Sequence, residues 1–437
     1  MQRGLTVLPR LTIVPSFTRF CMKKMSTNPS PVVPKFISVE ARDIHSRSQP
    51  DGIAITLLLL LHWRVSFLLL AKLGVLMEFV ALGAKTCELI QFLNVGFHTG
   101  FRFRLVSYNV LAQVYVKSSL FPHSPKACLR WKARSQAILT VLNNLKADFL
   151  CLQEVDEYDG FYRANMENSG YTGIYIQRSG QKRDGCGIFY KQDRAELVLE
   201  ERIEYNDLVD MIQESTDSSD NCNDEPGNGN EDVETKPDSP TKKSTEDRGD
   251  PNDPRVRLKR DCVGIMAAFR LKDSSGRLII VANTHLYWDP EWADVKLAQA
   301  KYLLSRLARF RTSVSDKFEA VPPVIVAGDF NSTPGDKVYQ YLVSGDSSSF
   351  VPKCLDELPI PLRSVYGSTR GEPPFTNCTP SFTDTLDYIF FSPSLYLKPV
   401  SFLELPSPDS PDVSGGLPNN YHPSDHLPIG TEFEIAP

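Results

Sequence analysis

The chain has 437 residues, 41% hydrophobic and 23% charged, enough apolar material for one large core or two smaller ones. Its net charge of −5 excludes a protein that coats nucleic acid through bulk positive charge. The charge is also uneven: residues 1–100 carry eleven bases against five acids, and Asn206 to Asp253 carries fifteen acids against four bases. Phosphate binding must therefore come from a local site rather than a basic face.

From Met1 to Met25 there are five bases, several Ser and Thr, and no acid before Glu40. That is the composition of an organellar transit peptide, and equally of a disordered start. A Leu-rich stretch follows between Ile53 and Gly83, interrupted by His62, Arg64, Lys72 and Glu78. Its longest uncharged run, Ile53 to Trp63, is too short for an unaided membrane span, so no stable membrane association is expected. Residues 1–100 are accordingly read as an N-terminal extension and 101–437 as a single catalytic domain.

The pattern changes at Phe101. Phe103 to Tyr108 reads as a strand, and Trp131, Ile138, Leu142 and Leu145 recur on one helical face. Phe149 to Leu152 is a buried strand with acid at its C-terminal mouth, and Tyr171 to Gln177 and Gly187 to Lys191 are further strands. Asn206 to Asp253 is rich in Asp, Glu, Ser, Asn, Pro and Gly and nearly devoid of aromatics, the composition of a disordered insertion. Strands resume at Cys262 to Leu271 and Leu278 to Thr284. Then come a helix carrying Leu297, Ala300, Leu304 and Leu307, and strands at Val324 to Ala327, Leu386 to Phe391 and Ile429 to Phe433. This mixture predicts an α/β sandwich with helices outside two packed sheets. The nine cysteines are scattered, with no C-x-x-C pair, and read as reduced thiols of an intracellular protein.

Polar residues fall at the strand ends. Ser107-Tyr108-Asn109, Leu152-Gln153-Glu154, Asn283-Thr284-His285, Gly328-Asp329-Phe330-Asn331, Leu386-Asp387-Tyr388 and Ser424-Asp425-His426 all close or adjoin apolar strands. If those ends converge, one mouth collects several carboxylates, two amides and two imidazoles. Hard oxygen ligands suit Mg²⁺, imidazoles can hydrogen-bond phosphoryl oxygens, and an Asp can orient an attacking water. Each residue alone also has a plain reading: Asn109 as a turn residue, Glu154 as a solvated strand end, Asp329 with Asn331 as a turn before Pro334, His285 as a core histidine, Asp425 with His426 as a loop pair. The order of six such motifs on one chain argues against all of these readings holding at once.

On these motifs, about Phe103 to Ile435 resembles the endonuclease/exonuclease/phosphatase superfamily, which implies the deoxyribonuclease-I-like four-layer α/β/β/α sandwich. Ser107 to Ala112, Trp131 to Arg134, Tyr287 to Glu291 and Asp294 to Gln299 look like its carbon-catabolite-repressor and nocturnin branch, the deadenylase-type nucleases, as found in plants. The resemblance implies a Mg²⁺-dependent (or Mn²⁺-dependent) 3′–5′ exoribonuclease acting on single-stranded RNA, poly(A) in particular. Two alternatives are an NADP(H) 2′-phosphatase of the nocturnin type and an inactive RNA-binding scaffold. It makes Glu154 the main metal ligand, with Asn109 beside metal and phosphate and Asp425 completing the metal and water network. Asp329 would position or deprotonate the water, Asn331 hold the phosphate, His426 donate to it with Asp387 orienting the ring, and His285 stabilise the transition state. Pro290 and Phe382 match positions that stack on a base. The leucine-rich repeats that tether some members to a larger deadenylase complex are absent from this sequence. The address the branch implies is cytoplasm and nucleus, or the mitochondrion through the basic N-terminal segment.

Overall fold

The computed structural model describes residues 31–32, 34–39, 100–210, 253–344, 360–394 and 396–436. The transit-like start, the Leu-rich stretch and most of the acidic insertion lie outside the described residues.

Strand β1 (Phe36–Ser38) is followed by β2 (Phe101–Asn109), helix α1 (Trp131–Leu145), β3 (Phe149–Gln153), α2 (Arg163–Asn168), β4 (Tyr171–Gln177), β5 (Gly185–Lys191) and β6 (Ala195–Glu204). After the insertion come α3 (Pro254–Arg257), β7 (Val263–Leu271), β8 (Leu278–His285), α4 (Ala293–Phe318), β9 (Val324–Asp329) and α5 (Lys337–Ser344). The chain ends with β10 (Arg363–Ser364), β11 (Asn377–Thr379), β12 (Phe382–Asp384), β13 (Asp387–Phe391), β14 (Leu397–Leu403) and β15 (Ile429–Ile435). A seven-stranded sheet has the order β1-β14-β15-β2-β3-β5-β4, a six-stranded sheet the order β10-β13-β9-β8-β7-β6, and β11-β12 is a separate hairpin.

The period-two alternation of the central strands makes the layers. In β2, Phe103 and Leu105 face the second sheet, where they join Phe149, Phe269, Ile325 and Ile389 in one core. Val106 and Tyr108 face the other way, onto Ile138, Val141, Leu142 and Leu145 of α1. In β9, Ile325 and Ala327 enter the inter-sheet core, while Val324 and Val326 meet Leu303, Leu304, Leu307 and Phe310 of α4. Helix, sheet, sheet and helix stack in that order, the expected four-layer α/β/β/α sandwich.

The structure redraws three boundaries. β1 lies within the segment read as an extension, yet it pairs with β14 in register Phe36 with Leu403 and forms a sheet edge, so part of residues 1–100 belongs to the catalytic fold. The ends of the acidic segment are built into the domain as well. The Asn206 amide donates to Ser179 Oγ (3.0 Å) and Asp261 Oδ1 (2.8 Å), and Asp253 caps α3 by accepting from the Arg255 amide at 2.9 Å. β6 and β14 were not anticipated. Among the described residues, no helix is long and apolar enough to cross a membrane, and Cys128, Cys151, Cys186, Cys262 and Cys378 are free thiols.

Candidate active site

Strand direction brings the polar ends together. β2 and β3 run parallel, with Asn109 beside Gln153, so Asn109 and Glu154 leave the first sheet at one edge. β8 and β9 repeat this in the second sheet, with His285 beside Asp329. β13 runs antiparallel to β9 and so begins where β9 ends, Asp387 facing Asp329, while β15 begins near the end of β2 and the Asp425-His426 loop feeds into it. Gly328 allows the close approach of β8, because a Cβ there would strike the Thr284 carbonyl.

Asn109 bridges the two sheets. Its Nδ2 donates to Glu154 Oε1 and to Asp329 Oδ2, both at 3.0 Å, and its Oδ1 accepts from the Leu111 amide. Glu154 Oε2 accepts from the Ala112 amide at 2.9 Å. Asp329 Oδ2 lies 3.6 Å from His285 Nε2 and 3.7 Å from His426 Nε2. On the far side of its ring, His426 Nδ1 is 2.7 Å from Asp387 Oδ2, which also accepts from Thr376 Oγ1 at 2.6 Å. Asn331, at φ 47, donates its backbone amide to Asp329 Oδ1 and its side-chain amide to the Leu286 carbonyl, both at 2.9 Å.

Burial lifts the carboxyl of Asp387 above its ordinary range. Burial would depress His426, but the carboxylates of Asp387 and Asp329 outweigh it and hold the imidazole well above its usual value. The favoured state is an imidazolium clasped between two acids. Glu154 is also raised, by burial first, with His285 pulling it back and Asp425 adding to the rise.

Among the described residues, Asp329, Asp387 and His426 bring ligand atoms within 4.8 Å of one another, a group other than the Glu154, Asn109 and Asp425 set that the resemblance implies. In the tight group one imidazole already stands between the two carboxylates and offsets part of their charge. The Glu154 corner fits a divalent ion better. Each of its oxygens accepts one hydrogen bond, which leaves further lone pairs, and the side chain is only partly covered. Four carboxylates meet two imidazoles here, so the donor set keeps a negative charge that a hard divalent cation would offset.

Pro290 lies five residues beyond His285 and Phe382 five residues before Asp387, both on the surface. Pro290 opens a single 3-10 turn capped by Asp289, and it is exposed. Phe382 is 42% exposed on the β11-β12 hairpin, which excludes a core role. A bridge between Asn377 and His426 sets that hairpin against the catalytic loop.

Several supporting residues escaped the sequence reading. Arg134 is 1% exposed. Its guanidinium donates to the carbonyls of Val110 (2.7 Å), Leu111 (2.5 Å) and Pro423 (2.8 Å), bolting the loop after Asn109 to the loop before His426. Ser424 Oγ adds a bond to the Asn109 carbonyl at 2.7 Å. Lys296 Nζ holds the Asn331 carbonyl at 2.7 Å, and Gln299 holds the Tyr287 amide at 2.9 Å. Beneath the floor, Gln153 of one sheet donates to Asn283 of the other at 2.7 Å. The motif spacing around Arg134, Lys296 and Gln299 marked these segments, but their partners lie in other loops.

The family model described as Endonuclease/Exonuclease/phosphatase family matches residues 106–426. The chain is 60% identical over 417 residues to the Arabidopsis thaliana protein named Carbon catabolite repressor protein 4 homolog 4, covering 94% of each. It is 28% identical over 375 residues to the CCR4-Not complex 3′-5′-exoribonuclease subunit Ccr4 of Schizosaccharomyces pombe, covering 76% of this chain but only 49% of that protein. Among solved structures, ANGEL2, a 2′,3′-cyclic phosphatase, superposes with a TM-score of 0.58 at 26% identity, over 78% of this chain and 99% of that one. With the family model spanning most of its length and a relative at this identity, the chain belongs to the endonuclease/exonuclease/phosphatase family.

Proposed function

We propose that this protein is a Mg²⁺-dependent 3′–5′ exoribonuclease that removes adenylates from the 3′ ends of RNA. The observation that carries the reading is the buried line Asp387–His426–Asp329, joined through Asn109 to Glu154. It sets an imidazolium, an acid facing two imidazoles and a cation-binding carboxylate around one mouth. The Arabidopsis relative, similar along nearly its whole length, and the fission-yeast exoribonuclease support RNA as the substrate.

Glu154, with Asn109 and Asp425, would hold the Mg²⁺, which when bound offsets charge on the scissile phosphate. Asp329 orients the attacking water and accepts its proton, its Oδ2 held by Asn109. The water oxygen bonds to phosphorus as the bond to the 3′ oxygen breaks, releasing a 5′-mononucleotide. His426 donates from Nε2 to the phosphoryl oxygens, because Asp387 occupies its Nδ1, and His285 meets the same developing charge. Asn331, fixed by Lys296 and Leu286, holds the phosphate with what remains of its amide. Pro290 and Phe382 flank the base.

We assign its action to the inside of the cell, in cytoplasm and nucleus, with a mitochondrial address as the alternative. The deciding experiment incubates the purified full chain and Mg²⁺ with 5′-labelled oligo(A), with NADPH and with a 2′,3′-cyclic phosphate end. Stepwise shortening of oligo(A) with release of 5′-AMP is the expected result. Consumption of NADPH or the cyclic phosphate alone replaces the exonuclease with a phosphatase, and turnover of none leaves an RNA-binding scaffold.

A further inference from the structure

Three residues beyond His285 the chain enters a cluster of aromatic rings and cations that the proposed chemistry does not use. Trp288 is 64% exposed, the most solvent-open aromatic ring beside the site. Its ring lies 6.1 Å from Tyr287, and Tyr287 lies 5.9 Å from Trp292. Trp292 in turn carries two guanidinium groups, Arg257 at 4.1 Å and Arg260 at 4.0 Å.

The support is rigid. The Tyr287 amide is held by Gln299, and Asp289 caps the turn that follows Trp288. Arg257 is committed to a two-pronged ion pair with Asp294, both contacts at 2.7 Å. Arg260 differs. Among the described residues it has no carboxylate partner, and its Nε is buried without a hydrogen-bond acceptor. Lys259 beside it is exposed and also lacks a carboxylate partner among the described residues. In a chain of net charge −5, a guanidinium without a carboxylate partner packed on Tyr287 and Trp292, an exposed lysine preceding it in the chain and the exposed indole of Trp288 following Tyr287 are complementary to a polyanion with flat bases.

We propose that Trp288, Lys259 and Arg260 form a track for the RNA leading into the site, Trp288 stacking a base upstream of the reacting nucleotide and the two cations facing its backbone phosphates. The inference rests on the exoribonuclease reading and deepens it. Trp288 stands no more than about 11 Å along the chain from His285, within reach of the next nucleotides of a strand whose 3′ end is being cut. The consequence is a length preference: an oligoadenylate long enough to reach the track is held better than a dinucleotide that occupies only the reacting subsites.

The test compares kcat/KM on a diadenylate and on a decaadenylate for the parent chain, Trp288→Ala, Trp288→Phe and Lys259→Gln. The parent should favour the longer substrate, and Trp288→Ala should cut that advantage about tenfold, with Trp288→Phe restoring most of it. Because Trp288 is exposed, loss of folding does not confuse the result; circular dichroism checks it. Lys259→Gln should lower the salt slope of decaadenylate binding by about 0.7, the release expected for one contact to a single strand. Equal losses on both substrates, or no loss on either, overturn the track while leaving the exonuclease in place. A parent that shortens neither substrate overturns the proposed function and this inference together.

Discussion

The floor of the site is recessed, with Asn109, Asp329, Asp387 and His426 all buried, whereas Pro290, Phe382 and Trp288 stand in solvent as its rim. The floor is also cross-braced. Asn109 ties the sheets, Arg134 ties the two loops above them, and Thr376 and Ser424 fix the Asp387 and His426 backbones. Rim residues rest on one turn and one hairpin. A phosphate ester needs fixed charges where water cannot screen them, while a base needs only a flat surface to lie on. Disturbing the floor should therefore stop chemistry, and disturbing the rim should weaken holding.

The largest effect belongs to the floor. Asp329→Ala and His426→Ala should each lower kcat on oligo(A) by about 10²–10⁴-fold, with RNA binding by fluorescence anisotropy changed far less. The double variant should fall well short of the product, since both serve one transition state. An Asp329→Ala protein that turns over normally but binds RNA tenfold worse would move Asp329 to the rim.

Glu154 lies between the two regions, partly exposed and carrying a carboxyl group. Glu154→Gln keeps the acceptor from Asn109 but removes a charge, so Mg²⁺ affinity by titration calorimetry should fall by more than the roughly 10–100-fold typical of outer-sphere partners. Rescue of the rate by excess Mg²⁺ fits this placement. Normal affinity would hand the ion to the Asp329–Asp387–His426 group instead.

Phe382→Ala should weaken turnover of oligo(A) by about ten- to a hundredfold, the worth of one stacked base. Stacking tolerates every base, so discrimination between A- and U-tailed RNA should fall less than activity. Unchanged rates on both tails would make Phe382 an incidental surface ring.

How much of this was legible in the sequence depends on the range of the interactions. β2, β3, β8, β9 and β13 were readable because each is an apolar run stopped by a polar motif, a signal contained in a few residues. β6 was not, because five of its ten residues, Glu196, Glu200, Glu201, Arg202 and Glu204, are charged and stand on the edge of the sheet. β14 carries Pro399 and a bulge, and β1 is three residues whose partner lies more than 360 positions away. The site residues were found through their motifs, yet Arg134 and Lys296 have partners in distant loops, and no local periodicity reports such a partner.

The smallest effect tests the acidic segment against its own ends. Asn206 donates to Asp261 Oδ1 and accepts from the Asp261 amide at 3.0 Å, so Asn206→Ala should remove hydrogen bonds from partly buried groups and cost about 0.5–1.5 kcal/mol of stability in chemical denaturation. Residues 211–252 are different by composition, with too few apolar side chains to add to a core. Replacing them with a Gly-Ser link of a quarter the length changes loop closure by only about 1.2 kcal/mol, at about 0.6 kcal/mol per halving. Metal-dependent hydrolysis should then match the parent within about twofold. If the shortened chain fails to fold while Asn206→Ala is harmless, the support lies in the middle of the segment rather than at its ends, and the contrast drawn from composition is reversed.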